Sequence, residues 1–180
     1  MRKTTKIGIG LVALIVFVGA LALLSPFVNA AVSSSLENLV LNDINAERAN
    51  ASLPPLSLNP MLVNSSKLHS EDMAARGYTQ QITPEGVTYE ARILMAGYNF
   101  TSANENTLCW SPETWSVWSI PFLGPAIANG DSIANTSVDY WMTKSCPCNR
   151  ENILGNFTDV GVGVAINGSN VYMTVDFGSK

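Results

Sequence analysis

Apolar residues along this chain follow three different rhythms. From Ile7 to Leu24 they run without a break, the pattern of an export or membrane segment and not of a core element. Leu36, Leu39, Val40, Ile44 and Ala51 then keep the 3.6-residue period, while Glu37, Asp43 and Glu47 fall elsewhere, which predicts a helix through Asn50 with Ser33-Ser34-Ser35 as its cap. Leu53-Pro54-Pro55-Leu56 stops it. Asn59-Pro60 opens a second helix to Arg76, with Gly77 as its C-terminal signal. On that helix Leu62, Ser66, His69 and Met73 share a face at offsets of three and four. Thr83-Pro84-Glu85-Gly86 is turn chemistry, and Tyr89 to Ala96 reads as a short helix closed by Gly97. Residues 107–130 are the least regular, and a further helix is expected from near Asp131 to Lys144. The rhythm then shortens to two. Asp159 to Ala165 and Val171 to Phe177 alternate as strands, with Asn167-Gly168-Ser169-Asn170 as the hairpin turn between them. Helices first and a hairpin last predict an α+β domain with helices packed on an antiparallel sheet.

The N-terminus carries Arg2, Lys3 and Lys6 ahead of the apolar run, and Ser25-Pro26 is expected to break its helix. Val28-Asn29-Ala30 offers small residues where a signal peptidase reads. Residues 1–30 are thus a signal peptide cleaved after Ala30 or, since the run approaches the roughly 20 residues that span a bilayer, an uncleaved N-terminal anchor. Either way residues 31–180 form one domain outside the cell, secreted or tethered to the outer face of the membrane, and touch the membrane only through that segment. Three of the 10 basic residues precede position 31 and none of the 14 acidic ones does, so the exported part has a formal charge of −7. Nucleic acid is excluded as a partner, because neutralising phosphates needs clustered Lys and Arg.

Six glycosylation sequons begin at Asn50, Asn64, Asn99, Asn135, Asn156 and Asn167, and some are expected to be buried or unused. Cys109, Cys146 and Cys148 are the only cysteines. An oxidising compartment favours one disulfide, from Cys109 to Cys146 or to Cys148; a bridge between Cys146 and Cys148 themselves is disfavoured by so short a loop. Zinc ligation by the three is the second reading. Trp110, Trp115 and Trp118 fall within nine residues and form either an apolar binding surface or a lid on the domain's own core. His69 is the only histidine. It is read first as a buried, hydrogen-bonded side chain, and alternatively as a general base acting with Ser66 or Ser70. No serine or cysteine sits in a nucleophile elbow.

Several short motifs keep a definite order: Asn45 and Arg48, Pro55-Leu56, His69-Ser70 with Asp72-Met73-Ala74, Gly77-Tyr78, Pro84-Glu85-Gly86, Arg92, Gly97-Tyr98, Glu105-Asn106, Trp141-Met142, Arg150 with Asn152-Ile153-Leu154, and Val160-Gly161-Val162-Gly163. In that order and spacing the chain, from about Leu39 to Phe177, resembles the single-domain microbial branch of the SCP/CAP superfamily. The resemblance implies a three-layer α-β-α sandwich with a central antiparallel sheet. It also implies a shallow cleft lined by two histidines and one or two acids, which binds zinc in some members. By position the histidines are replaced here by Gln81 and Asn149. Glu105 keeps its identity, and Asp139 is placed nearest the second acid. Two amides and one carboxylate make a poor zinc site, and suit calcium only if further oxygens converge; no cofactor is expected. The expected ligand pocket is Gln81, Glu105, Asn149, His69 and Arg150. Members that bind sterols and fatty acids imply a binding or structural module for a lipid, glycan or protein ligand. The alternative is a protease-like hydrolase acting through Glu105 and His69.

Overall fold

In the computed structural model the described residues are 8–111 and 133–180, with side chains of the first helix described from residue 29. The elements in order are α1 (Gly8–Asn50), β1 (Ser57–Leu58), α2 (Pro60–Arg76), α3 (Tyr89–Met95), β2 (Ser102–Trp110), α4 (residues 133–139), α5 (Pro147–Ile153), β3 (Asp159–Asn167) and β4 (Asn170–Ser179). Helix α4 passes into a π-helical turn, Tyr140–Lys144. The chain divides into two compact units, Met1–Ala31 and Val32–Lys180, and the sheet lies in the second.

The sheet runs β1-β3-β4-β2. Pairings β3–β4 and β4–β2 are antiparallel, whereas β1 runs parallel to β3 over only two residues. Alternation sorts the strand residues onto two faces. Val160, Val162 and Val164, with Val171, Met173, Val175 and Phe177, join Leu36, Val40 and Ile44 of α1, Trp141 and Ile153 in one core. The opposite face is lean. A Cβ on Gly161 would lie 2.0 Å from the Leu62 carbonyl carbon, and one on Gly163 would lie 2.3 Å from the Lys67 nitrogen. Two missing side chains therefore let the α2 backbone lie directly on β3. Ser70 seals the contact, its hydroxyl within hydrogen-bond distance of the Gly163 carbonyl (2.8 Å) and the Thr174 hydroxyl (2.9 Å). Helices on both faces make the α-β-α sandwich that the resemblance implied.

Two polar side chains of α1 organise the connections beyond it. The Asn45 amide accepts from the Leu56 N–H at 2.8 Å and donates to the Leu56 carbonyl at 3.3 Å, in the manner of a neighbouring strand. Arg48, 1% exposed, donates to the carbonyls of Pro54, Ile153, Gly155 and Phe157. Glu37 is turned inward, accepting from the Val164 N–H at 3.1 Å beyond the short β1.

Several expectations change. Neither Ser25-Pro26 nor the serine triplet interrupts α1; Ser33 is buried within it, and serine inside a helix costs little. β1 and β2 are strands that the apolar rhythm did not announce, and β2 takes in Thr107 to Trp110 of the stretch read as irregular. Trp110 is 1% exposed and belongs to the core, so it offers no binding surface; Trp115 and Trp118 lie outside the described residues. Among the described residues no helix is long and apolar enough to cross a membrane, and the side chains of the apolar run expected to serve as leader or anchor are not among them.

Candidate functional site

Three of the sequence-predicted pocket residues line two separate hollows, His69 the first and Gln81 with Asn149 the second. The first, about 340 Å³, lies between α2, the loop after it and α3. Leu68, Val87, Met95 and Ala96 supply its apolar lining; Ser65, His69 and Arg92 supply the buried polar part; Asp72, Arg76 and Glu85 stand at its charged edge. Arg76 is held there by hydrogen bonds to both Asp72 and Glu85. Leu68 and Met95 are 56% and 79% exposed.

His69, 1% exposed, lies 2.8 Å through Nε2 from the Gln80 carbonyl. A carbonyl only accepts, so Nε2 carries the hydrogen and Nδ1 is a bare acceptor. Nδ1 has no partner. Burial, and then the positive charge of Arg92, push the imidazole pKa down to about 4, so the ring is neutral at physiological pH. Ser66 and Ser70 direct their hydroxyls to the carbonyls of Val63 and Gly163 instead of to His69, so the general-base arrangement is absent.

Behind His69 lies a buried acid pair. Glu105 on β2 stands directly across from Asp176 on β4, at 1% and 0% exposure. Arg92 donates to one Glu105 oxygen and, through its other amino group, to the carbonyls of Gln81 and Val87. The second Glu105 oxygen lies 4.0 Å from His69 Nε2. Burial and then the charge of Asp176 raise Glu105 well above the carboxylate range, and burial raises Asp176 to about 6 despite Ser65, Glu105 and Arg92 beside it. Both carboxyls thus hold a proton more tightly than a free carboxylate does, and Arg92 is the cation that offsets the charge of the pair, through Glu105. Asp176 had been missed. Asp139, placed nearest the second acid on resemblance, is instead exposed and paired with Lys144 at 3.3 Å.

The titrations oppose one another. A buried acid with a raised pKa contributes stability that is present below its unfolded pKa near 4 and is lost as pH rises toward 6. A histidine with a lowered pKa acts oppositely, withdrawing stability as pH falls from 6.5 to about 4. Two raised acids outweigh one lowered histidine, so the urea midpoint of the native domain is expected to fall as pH rises through that window. Asp176→Asn should flatten the fall, and His69→Gln should steepen it. Parallel profiles for the two variants would defeat the assignment.

The second hollow, about 430 Å³, opens at the outer edge of β2 and is lined by Gln80, Gln81, Ile82, Thr107, Cys146, Cys148 and Asn149. Gln81 and Asn149 do meet here, but Glu105 does not join them. Only its main-chain carbonyl is turned their way, accepting from Gln81 Nε2 and Asn152 Nδ2, because alternation on β2 sends its carboxylate to the face under α2. Asn152 also donates to Asn106 Oδ1 at 2.8 Å, and Asn106 to the Asn149 carbonyl at 3.0 Å, which stitches α5 to the strand edge. Arg150 is exposed and lines neither hollow. This donor set does not fit zinc: Gln81 already donates to the chain, and the nearby carboxylate is engaged by Arg92 on the other face. With no carboxylate lining the hollow, calcium is no better served.

The cysteines pair differently from expectation. Cys146 is bonded to Cys148 with Cα atoms 5.3 Å apart, and Cys109 is a free thiol. Pro147 explains the closure. It holds Cys146 extended (φ −59°, ψ 146°) immediately before the first turn of α5, which brings the two Cα atoms into the ordinary disulfide range. Cys109 lies half-buried among Met73, Ala165, Tyr172 and Tyr78. All six sequon asparagines are exposed.

A mixed, mainly antiparallel sheet held between α2–α3 and α1–α4–α5, with an acid pair buried beneath the first layer, defines an α-β-α sandwich domain. The chain belongs to the cysteine-rich secretory protein (CAP) family, which its residues 41–177 match. It is 30% identical over 140 residues to the uncharacterized protein YkwD of Bacillus subtilis strain 168, a match covering 76% of this chain but 45% of that protein. The chain thus spans under half the length of that curated relative. Among solved structures, an extracellular SCP-domain protein of Bacillus anthracis str. Ames is similar with a TM-score of 0.63 at 21% identity, over 82% of this chain and 41% of the other. An outer surface protein of Borrelia burgdorferi is similar with a TM-score of 0.62 at 15% identity, over 81% of this chain and 93% of the other. At these identities the likeness concerns the fold.

Proposed function

We propose that this is an exported CAP domain, secreted or held at the outer face of the membrane, that works as a binding module, and that its ligand site is the hollow between α2 and α3. The ligand class is a small uncharged molecule with an apolar body and one hydrogen-bond donor. One juxtaposition carries this reading: His69, whose buried Nδ1 has no partner, lines a hollow whose rim exposes Leu68 and Met95. A buried acceptor without a partner is costly unless a ligand supplies the donor, and exposed apolar side chains around a concave site gain by being covered. Arg92 is paired with Glu105, and Arg76 with Asp72 and Glu85, so the cations lining the hollow are already engaged, which selects against an anionic head group. The extracellular descriptions of the B. anthracis and B. burgdorferi proteins and the apolar N-terminal run support the location. The six exposed sequons fit it too.

The test is titration with N-phenyl-1-naphthylamine, a neutral apolar fluorophore bearing one N–H. Saturable one-to-one binding is expected, weakened about tenfold or more by Leu68→Asp or Met95→Asp, since burying one unpaired charge costs at least the ~1.4 kcal/mol that tenfold represents. Gln81→Ala and Asn149→Ala should bind as the parent does. No saturable binding, or equal losses in both sets, would sink the reading.

A further inference from the structure

The hollow at the β2 edge has a feature that neither the fold nor the ligand reading employs. Cys146, Pro147 and Cys148 are all exposed, and the disulfide borders an open cavity whose other residues are Gln80, Gln81, Ile82, Thr107 and Asn149. We propose that Cys146–Cys148 is an exchange-active disulfide that oxidises dithiols of peptides or unfolded chains bound along this groove.

Three observations lead there. First, the bond joins residues only two apart. Cross-links stabilise chiefly by restricting the unfolded chain, and more so for longer loops; one that closes almost no loop contributes little to holding the domain together. Second, both sulfurs belong to exposed residues, and exchange requires that an external thiolate reach one of them. Structural disulfides in exported domains are ordinarily covered or enclose long loops. Third, the groove offers uncharged amides and a hydroxyl, with Ile82 49% exposed beside them. These are groups that hold an extended peptide by its main chain and one apolar side chain. Pro147 supplies the return path: it keeps Cys146 extended whether or not the sulfurs are joined, so the reduced pair stays poised to close again. Cys109 does not interfere. It sits with Tyr172 and Thr79 and is not among the residues lining the groove, and burial raises its pKa, which keeps it a thiol.

In the reaction, a substrate thiolate attacks one sulfur of the bridge. The electron pair of the S–S bond leaves on the other, which takes up a proton, and a mixed disulfide remains. The substrate's second thiol, deprotonated, attacks that bond and expels the first cysteine as a thiolate. The substrate loses two electrons and gains a disulfide, while Cys146 and Cys148 end as two thiols. The reaction is stoichiometric, one bridge consumed for each dithiol oxidised.

The experiment mixes the oxidised full chain with a peptide bearing two cysteines separated by two residues, then blocks free thiols and locates them by mass spectrometry. Peptide oxidation is expected in step with the appearance of thiols at Cys146 and Cys148, at least tenfold faster than oxidised glutathione achieves at equal concentration. Thermal midpoints of the oxidised and reduced chains should nearly coincide. Cys109→Ser should react as the parent does, and Cys148→Ser should accumulate neither peptide disulfide nor lost peptide thiols. Gln81→Ala combined with Asn149→Ala should slow the peptide severalfold while leaving reduction by dithiothreitol unchanged, which separates groove binding from bare sulfur reactivity. The proposal is overturned if Cys146 and Cys148 prove unbonded to each other, or if the bridge opens only when the domain unfolds. Oxidation no faster than with glutathione, or an equal slowing of dithiothreitol by the groove variant, overturns it as well.

Discussion

Gly161→Ala is expected to abolish folding, or to lower stability by more than ~3 kcal/mol, the upper range for overpacking. The added carbon would sit 2.0 Å from the Leu62 carbonyl carbon and 2.3 Å from the Val63 nitrogen. Those are backbone atoms in the first turns of α2, so no rotamer change gives relief, and the helix must lift off the sheet. Lifting it would separate Ser70 from Gly163 and Thr174 and loosen the cover over the acid pair. Gly77→Ala serves as the control. Its φ is +69° but a Cβ there meets nothing within 4 Å, so the cost is that of the left-handed conformation, about 1–2 kcal/mol. Soluble yield and urea unfolding compare the two. If Gly161→Ala were no less stable than Gly77→Ala, direct contact of α2 with β3 would be wrong.

Arg48→Ala should come next, at about 3 kcal/mol or more. Its guanidinium gathers four carbonyls from two connections, at Pro54 and at Ile153, Gly155 and Phe157. Hydrogen bonds to a charged group are worth roughly 1.5–3 kcal/mol each, and deletion strands their buried acceptors. Arg48→Lys should recover little, because an ammonium cannot present a planar fork to carbonyls on several sides. The measurement is the urea midpoint with the slope checked for constancy. A loss under ~1 kcal/mol, no more than a typical substitution costs, would show that water replaces the arginine adequately.

The architecture was largely legible because its periodic parts signal plainly. The Asn59-Pro60 start and Gly77 stop of α2, the short α3 and the hairpin through Gly168 all form where local chemistry placed them. β2 was silent for a physical reason: it is buried on both faces yet carries Asn104, Glu105, Asn106 and Thr107, so no apolar alternation exists to read. The site was legible only in part. Resemblance located Gln81, Asn149 and Glu105 in sequence, but it could not tell that strand alternation sends the Glu105 carboxylate away from the two amides. A signal for the acid pair was present. Gly161 and Gly163 fall on one face of β3, Thr174 and Asp176 on the corresponding face of β4, and a face so empty and polar implies a helix pressed close over buried charge. The disulfide was misread because loop length was weighed without the constraint that Pro147 places on Cys146.

The inward turn of Glu37 also bears on how these molecules behave in a crowd. β1 shields only the first residues of β3, and beyond it an open row of main-chain donors would be an invitation for a neighbour's strand to zip on. A carboxylate bound to the Val164 N–H occupies one of those donors and sets a negative charge where an incoming chain would have to lie. A neighbouring molecule's strand is thereby kept from adding to this edge of the sheet.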